Sequence, residues 1–157
     1  MSESSSRVEA RLAELGLSLP DVAKPLAAYT PALAHEGLVY TSGQLPSVNG
    51  ELAVTGKVGD TVTAEQAKEL AQISAINALA AAKSVLGDLD RVTRVVKVVG
   101  FVASATDFTG QPGVINGTSE LLGQIFGDAG VHARSAVGVA VLPMDAPVEV
   151  ELVLAYA

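Results

Sequence analysis

The chain has 157 residues, of which 49% are hydrophobic, and its 10 basic and 17 acidic side chains give a formal charge of −7. This composition excludes a disordered or strongly solvated chain, and the length predicts one domain with a substantial core. The absence of cysteine excludes disulfides and thiolate chemistry. The net negative charge disfavours nonspecific binding to nucleic-acid phosphates. No apolar run approaches the ~20 residues of a membrane-spanning helix, and the polar N-terminus is unlike a signal peptide, so we predict a soluble cytoplasmic protein.

The N-terminal segment predicts a short amphipathic helix outside the main domain. Ser6 and Glu9 have the spacing of a capping box, and Gly16 provides a stop signal. A proline-containing stretch follows the helix. We therefore divide the chain into an N-terminal helix and linker (1–23) and a main domain (24–157).

The main domain alternates strand and helix signals. Thr63 and Gln66 form a second capping box at the start of an alanine-rich helix, and Pro112 opens another helix. A valine-rich run between them is typical of a buried strand. We expect an α+β fold in which a mixed six-stranded sheet carries two helices on one face. The predicted elements are strands at 29–34 and 38–43, a hairpin turn at 49–50, a helix at 63–87, a strand at 92–104, a helix at 112–127, and strands at 134–142 and 147–156.

The sheet is expected to leave one apolar face uncovered. Along the strand that follows Arg134, valines alternate with alanine and glycine, so neither side has the character of a solvated face. We therefore predict that the uncovered face meets another subunit, as in a symmetric oligomer.

The last two strands are predicted to form a hairpin joined by residues 143–146. If Leu142 pairs with Pro147, then Arg134, Glu149 and Glu151 project from one face above small residues. An arginine with two carboxylates there predicts a pocket for a small anion, although solvated charges are the commoner explanation of these residue types. In this register Arg134 and Glu149 lie roughly 20 Å apart, so a shared site would need two subunits.

Other chemistries find little support in the residue types. His35 and His132 are far apart in sequence and have no metal-ligand spacing, so we expect neither a metal nor another cofactor. We place His35 on the surface, whereas His132, beside Arg134, could modify that pocket. The basic cluster at 91–97 lacks aromatic partners for base stacking, and we expect it to be solvated.

Four segments together resemble the RidA/YjgF family, also called the L-PSP endoribonuclease family. The resemblance extends from about Lys24 to the C-terminus, and the additional N-terminal helix is similar to a less characterised branch of the family. The segments are the stretch around Tyr29, YTSGQLP at 40–46, NGTSE at 116–120 and ARSAVGVAVLPMDAPVEVE at 133–151.

The resemblance implies a chorismate-mutase-like fold assembled as a homotrimer, with small-molecule sites in clefts between subunits. It also implies hydrolysis of reactive enamines and imines, such as 2-aminoacrylate, to a keto acid and ammonia. Arg134 matches the arginine that binds the substrate carboxylate, and Glu149 matches the acidic residue that positions or activates water. The remaining matched residues of the cleft are Tyr29, Gly43, Asn116 and Ala136, of which Ala136 replaces a cysteine that is common in the family.

Two functions remain open at this point. One is an enamine and imine deaminase, and the other is a non-catalytic trimer that binds small carboxylates as a sensor or chaperone-like protein. Both need Arg134, but only the enzyme requires Glu149. An endoribonuclease is disfavoured because the sequence lacks the histidine pair expected for acid–base cleavage of RNA.

Overall fold

The computed structural model describes residues 6–22 and 28–157, and in them a mixed five-stranded sheet carries two long helices on one face. A third, shorter helix packs beside the long ones. Among these residues no helix is long and apolar enough to cross a membrane. The helices are α1 (Arg7–Glu14), α2 (Ala64–Leu86) and α3 (Gln111–Phe126), and the strands are β1 (Ala32–His35), β2 (Leu38–Thr41), β3 (Val92–Ala103), β4 (Ala133–Val139) and β5 (Val148–Tyr156).

The helix ends follow the local signals closely. At the start of α2 the Thr63 hydroxyl accepts from the Gln66 amide at 3.1 Å, and the Gln66 side chain accepts from the Thr63 amide at 2.9 Å, so this capping box is confirmed. Gly87 ends α2 with a φ of 81°, a conformation that favours glycine. Ser6 caps α1 as predicted, but the carboxylate of Glu9 pairs with Lys83.

The sheet order is β1-β2-β5-β3-β4, in which only β3 and β4 run parallel. The predicted hairpin of the last two strands is therefore wrong, because β3 lies between them. Residues 140–147 carry the chain past the end of β3, whose 12 residues are long enough to pair with a strand on each edge. A turn between two valine-rich runs does not by itself determine that they pair with each other.

The predicted count of six strands is also wrong. Asn49 and Gly50 form the expected turn, with φ values of 53° and 79°. The pairing beside this turn is limited to a single bridge between Val48 and Glu51, so no further strand develops. The boundary predicted between residues 23 and 24 lies outside the described residues.

The two faces of the sheet have different surroundings. Val95, Val98 and Val102 of β3 are fully buried in the core beneath α2 and α3. The opposite face leaves large apolar side chains exposed, among them Leu33 (48%), Tyr40 (42%) and Val137 (44%). Within one chain the sheet is thus covered on one face only, and the uncovered face keeps the apolar character that the sequence predicts.

Candidate functional site

Arg134 lies on β4 and is held by α3. Its Nη1 donates to Oδ1 of Asn116 at 2.8 Å and to Oγ of Ser119 at 3.1 Å, and its Nη2 donates to the carbonyl of Pro112 at 3.3 Å. Asn116 and Ser119 are three residues apart and so share one face of the helix. A guanidinium has five N–H donors, and within the described residues these contacts leave two of them for a ligand.

His132 orients this cluster through Ser119. Its Nδ1 lies 2.6 Å from the carbonyl of Gly130, and its Nε2 lies 2.8 Å from the Ser119 hydroxyl. A carbonyl can only accept, so we assign the ring proton to Nδ1, and in the neutral ring Nε2 accepts the hydroxyl proton of Ser119. The Ser119 oxygen then faces Arg134 as an acceptor. A directed series of hydrogen bonds thus runs from Arg134 through Ser119 and His132 to the backbone.

We expect Ser119→Ala to weaken the binding of a small carboxylate such as pyruvate about tenfold, a loss typical of one hydrogen bond. The guanidinium would lose both a direct acceptor and its connection to His132. Titration calorimetry measures the effect. Ser135→Ala is the matched control, because Ser135 follows Arg134 on β4 and pairs with Val99 of the uncovered face. Equal losses in both variants would contradict this role for Ser119.

Glu149 lies in a separate cleft of about 790 Å³ at the end of the sheet where β5 begins. Tyr29, Gly43 and Asn77 line the same cleft. A Cβ atom built on Gly43 would overlap the Glu149 carboxylate, so the absence of a side chain at position 43 is what admits this carboxylate. A side chain at position 43 would therefore force the flexible end of Glu149 to move.

The environment of Glu149 makes its carboxylate more basic. Partial burial raises the pKa of Glu149 above its ordinary value, and the nearby negative charge of Glu151 raises it further. An ionised carboxylate with a raised pKa accepts a proton from water more readily than an ordinary glutamate does. In the described ranges no group of three His, Asp or Glu side chains is placed to hold a metal ion.

Gly43→Ala is expected to displace the Glu149 carboxylate. If the chain hydrolyses 2-aminoacrylate as the resemblance implies, the rate of that reaction should fall about 10- to 100-fold, while the affinity for pyruvate changes little. The reason is that the new methyl group occupies the position of the carboxylate, whereas Arg134 and its partner Asn116 lie on β4 and α3. Turnover and pyruvate affinity are measured separately. Gly113→Ala in α3 is the control, because nothing lies within 4 Å of a Cβ there. A normal rate in Gly43→Ala would contradict the predicted role of Glu149 in positioning or activating water.

The structure separates Arg134 from Glu149 within one chain. Arg134 pairs with Val98 and Glu149 pairs with Phe101, and these two β3 residues point to opposite faces. The prediction that Arg134, Glu149 and Glu151 share a face is therefore wrong, because β4 and β5 flank β3 and do not pair with each other. Arg134 is accordingly not among the described residues that line the cleft containing Glu149.

The residues predicted for the site fall into two groups. The first group consists of Asn116, Arg134 and Ala136 and lies between α3 and β4, where Ala136 pairs with Gly100 and packs against the core. The second group consists of Tyr29, Gly43 and Glu149 and lines the cleft. Sequence reasoning missed Ser119, although its position three residues after Asn116 on a predicted helix could have indicated it.

Residues 9–156 match a family model described as "YjgF/chorismate_mutase-like, putative endoribonuclease". The chain belongs to this YjgF family. Protein TCP17 of Trypanosoma cruzi is 41% identical over 148 residues, which cover 94% of this chain and 92% of that protein. The resemblance seen in the sequence motifs is thereby confirmed over nearly the whole chain.

Two crystal structures show how closely the YjgF fold is matched. Protein Atu1372 of Agrobacterium tumefaciens, whose function is given as unknown, is 44% identical with a TM-score of 0.90 over 96% of this chain and 93% of its own. A Shewanella oneidensis protein described as "a putative endoribonuclease" is 30% identical with a TM-score of 0.91 over 96% and 99%. The α+β, chorismate-mutase-like fold of the YjgF family is confirmed, with five strands where six were predicted.

Proposed function

We propose that the protein hydrolyses reactive enamines and imines of 2-keto acids, such as 2-aminoacrylate, as a homotrimer. An enamine first becomes the imine when a proton leaves its nitrogen and another is added to its terminal carbon. Water then adds to the carbon of the C=N bond, a proton is transferred to the nitrogen, and ammonia leaves to give the keto acid. Imine hydrolysis is intrinsically facile, so holding the substrate beside one activated water is sufficient catalysis. The proposal keeps the cytoplasmic location that the sequence predicts.

The observation that carries the proposal is that the Arg134 guanidinium is fixed in position and still has donors for a ligand. Three of its hydrogen bonds go to α3, so the planar guanidinium is held in place with two donors left over. Two parallel N–H groups match the two oxygens of a carboxylate, and such charge-assisted pairs are among the stronger hydrogen bonds in proteins. A 2-imino acid has such a carboxylate next to its reacting carbon.

The division of the site supports the homotrimer. Arg134 is on one face of the sheet and Glu149 is on the other, so both can reach one small substrate only if they come from different subunits. The uncovered face offers a surface for that contact, because Leu33, Tyr40 and Val137 are exposed on it. In this arrangement Arg134 of one subunit binds the carboxylate, and Glu149 of a neighbour accepts the proton from water.

The test is the release of pyruvate from 2-aminoacrylate that a serine dehydratase generates in the assay. We expect the wild-type protein to accelerate release over the spontaneous rate, and sedimentation to give the mass of a trimer. A preparation of intact trimers that leaves the spontaneous rate unchanged would contradict the deaminase.

A carboxylate-binding protein without catalysis is the second candidate. The observation in its favour is that the Arg134 cluster is complete within one chain, whereas Glu149 is remote from it. Binding of pyruvate without any turnover would support this candidate. Cleavage of RNA fits less well, because His132 is engaged by Ser119 and Gly130 while His35 is near Glu36 at the end of β1.

A further inference from the structure

The helix α1 is fastened to the rest of the fold at several points. The Asp90 carboxylate accepts from the backbone amides of Arg7 and Val8 at 2.8 and 2.9 Å and from the Ser6 hydroxyl at 3.1 Å. Lys83 of α2 pairs with Glu9 at 2.8 Å. Leu12 is fully buried in the same core as the sheet. The position of α1, and of the chain that leaves it, is therefore defined.

The residues that follow α1 run toward the cleft that contains Glu149. We call residues 15–22 the N-terminal arm. Leu15, Leu17 and Leu19 pack against a small cluster formed by α2 and α3. The four residues after Ser18 then form part of the wall of the cleft, and they are Leu19, Pro20, Asp21 and Val22.

The cleft is much larger than 2-aminoacrylate requires. Its volume of about 790 Å³ falls in the upper part of the range for pockets that enclose drug-sized ligands. A molecule with about six non-hydrogen atoms, together with the Arg134 guanidinium of a neighbouring subunit, would occupy only part of that space. The additional space lies within reach of Glu149, since both belong to one cleft.

The lining of this space favours an apolar group. Leu19 of the N-terminal arm faces the same cleft as Leu45, Leu52 and Met144, which come from distant parts of the sequence. Asn77 is only 7% exposed, and its amide nitrogen donates to the carbonyls of Leu45 and Ser47, so it fixes one wall and leaves only an acceptor oxygen for a ligand.

The charges in the cleft disfavour an acidic group. Among the residues that the structure describes, the charged side chains lining the cleft are the two carboxylates of Asp21 and Glu149. A second carboxylate on a ligand would meet these two acidic side chains without a basic partner among the described lining residues. We therefore expect the cleft to select its ligands by charge as well as by size.

We propose that the N-terminal arm completes a side-chain subsite in the Glu149 cleft, which takes imines of amino acids with large apolar side chains. The inference rests on the proposed function, in which the imine carbon lies beside Glu149. The carboxylate is held at Arg134 of the neighbouring subunit, and the side chain of the substrate extends into the space between Leu19 and Leu52. Small substrates such as 2-aminoacrylate bind beside Glu149 without using the subsite.

The test compares the affinities of keto acids, the products, for the full-length protein. We expect phenylpyruvate to bind the wild type at least ~10-fold more tightly than pyruvate, because its ring fills the apolar space. Leu19→Trp should abolish this preference while the affinity for pyruvate stays the same. Equal affinities for the two keto acids in the wild type, or a preference that survives in a folded Leu19→Trp variant, would overturn the proposal.

A second variant keeps the test independent of how Leu19 packs. Asp21 is exposed, and Asp21→Lys should raise the affinity for 2-oxoglutarate relative to pyruvate several-fold, whereas Asp60→Lys, a charge reversal outside the cleft, should not. An unchanged ratio in Asp21→Lys counts against the subsite. The imine assay separates the two ideas: absence of turnover on every imine contradicts the deaminase, while the keto-acid ratios still decide whether the subsite exists.

Discussion

Arg134→Ala is expected to lower kcat/KM for 2-aminoacrylate hydrolysis at least ~100-fold, because the substrate carboxylate loses a bidentate charge-assisted partner. The same change should remove measurable binding of pyruvate. Arg134→Lys should recover only part of the loss, since one ammonium cannot both replace the contacts to α3 and present two parallel donors. Pyruvate release and calorimetry measure the two effects.

The matched control for Arg134 is Arg94. Arg94 lies on the adjacent strand β3, and its Nη2 donates to the carbonyl of Val131 at 2.8 Å. Arg94→Ala removes the same charge from a nearby surface, so it should change kcat/KM by less than about twofold. If the two variants lose activity equally, net charge and not a specific carboxylate site explains the result. If Arg134→Ala keeps full activity, the deaminase site is not at Arg134.

Glu149→Gln is expected to lower kcat at least ~100-fold, within the range for loss of a general base, while the affinity for pyruvate stays nearly constant. An amide has the shape of the carboxylate but cannot accept the proton of the attacking water. The split between kcat and binding distinguishes the enzyme from the binding protein, since a protein that only binds would be unaffected. Steady-state kinetics with calorimetry on the same preparation measures it.

The same substitution should make the fold more stable at neutral pH. The pKa of Glu149 is raised in the folded protein, first by burial and then by Glu151, so the folded state holds this proton more tightly than the unfolded state does. Stability from this group therefore falls as pH rises from the ordinary value of 4.5 through the raised pKa. Glu149→Gln removes that loss, so its Tm should exceed the wild-type Tm at pH 7, and the difference should vanish below pH 4.5.

Glu151→Gln is the control for the electrostatic part of this argument. It removes the neighbouring negative charge while Glu149 stays in place, so the pKa of Glu149 should fall toward its ordinary value. The acid limb of the pH–rate profile should then move to lower pH with turnover retained.

A Glu149→Gln variant that is less stable than the wild type at pH 7 would contradict the raised pKa of Glu149.

Local signals in the sequence predicted most of the elements correctly. The caps at Ser6, Thr63 and Gly87 depend on contacts within about one helical turn, so the residues that form them are visible in any short window. The strand β3 was equally clear, because its run of 12 residues is rich in valine, which favours strands. The motifs that led to the YjgF family are likewise read directly from the residues.

The composition of the site could also be predicted, but its division could not. Arg134, Asn116, Gly43 and Glu149 were selected by residue type and resemblance, and each lies at one of the two clusters. Ser119 was missed because its spacing from Asn116 indicates a shared helix face but not which side chains meet that face. Its role depends on the side chains of Arg134 and His132, which reach it from beyond the end of α3.

By itself the sequence determined the helices, the long central strand, the apolar second face and the residue types of the site. Only the tertiary structure decided that β4 and β5 lie on either side of β3, which moves Arg134 and Glu149 to opposite faces. The physical reason is that side chains alternate along a strand, so a change of pairing partner or register reassigns every residue to a face without altering any local signal. The same tertiary packing brought the N-terminal arm to the Glu149 cleft, 100 residues and more away in sequence.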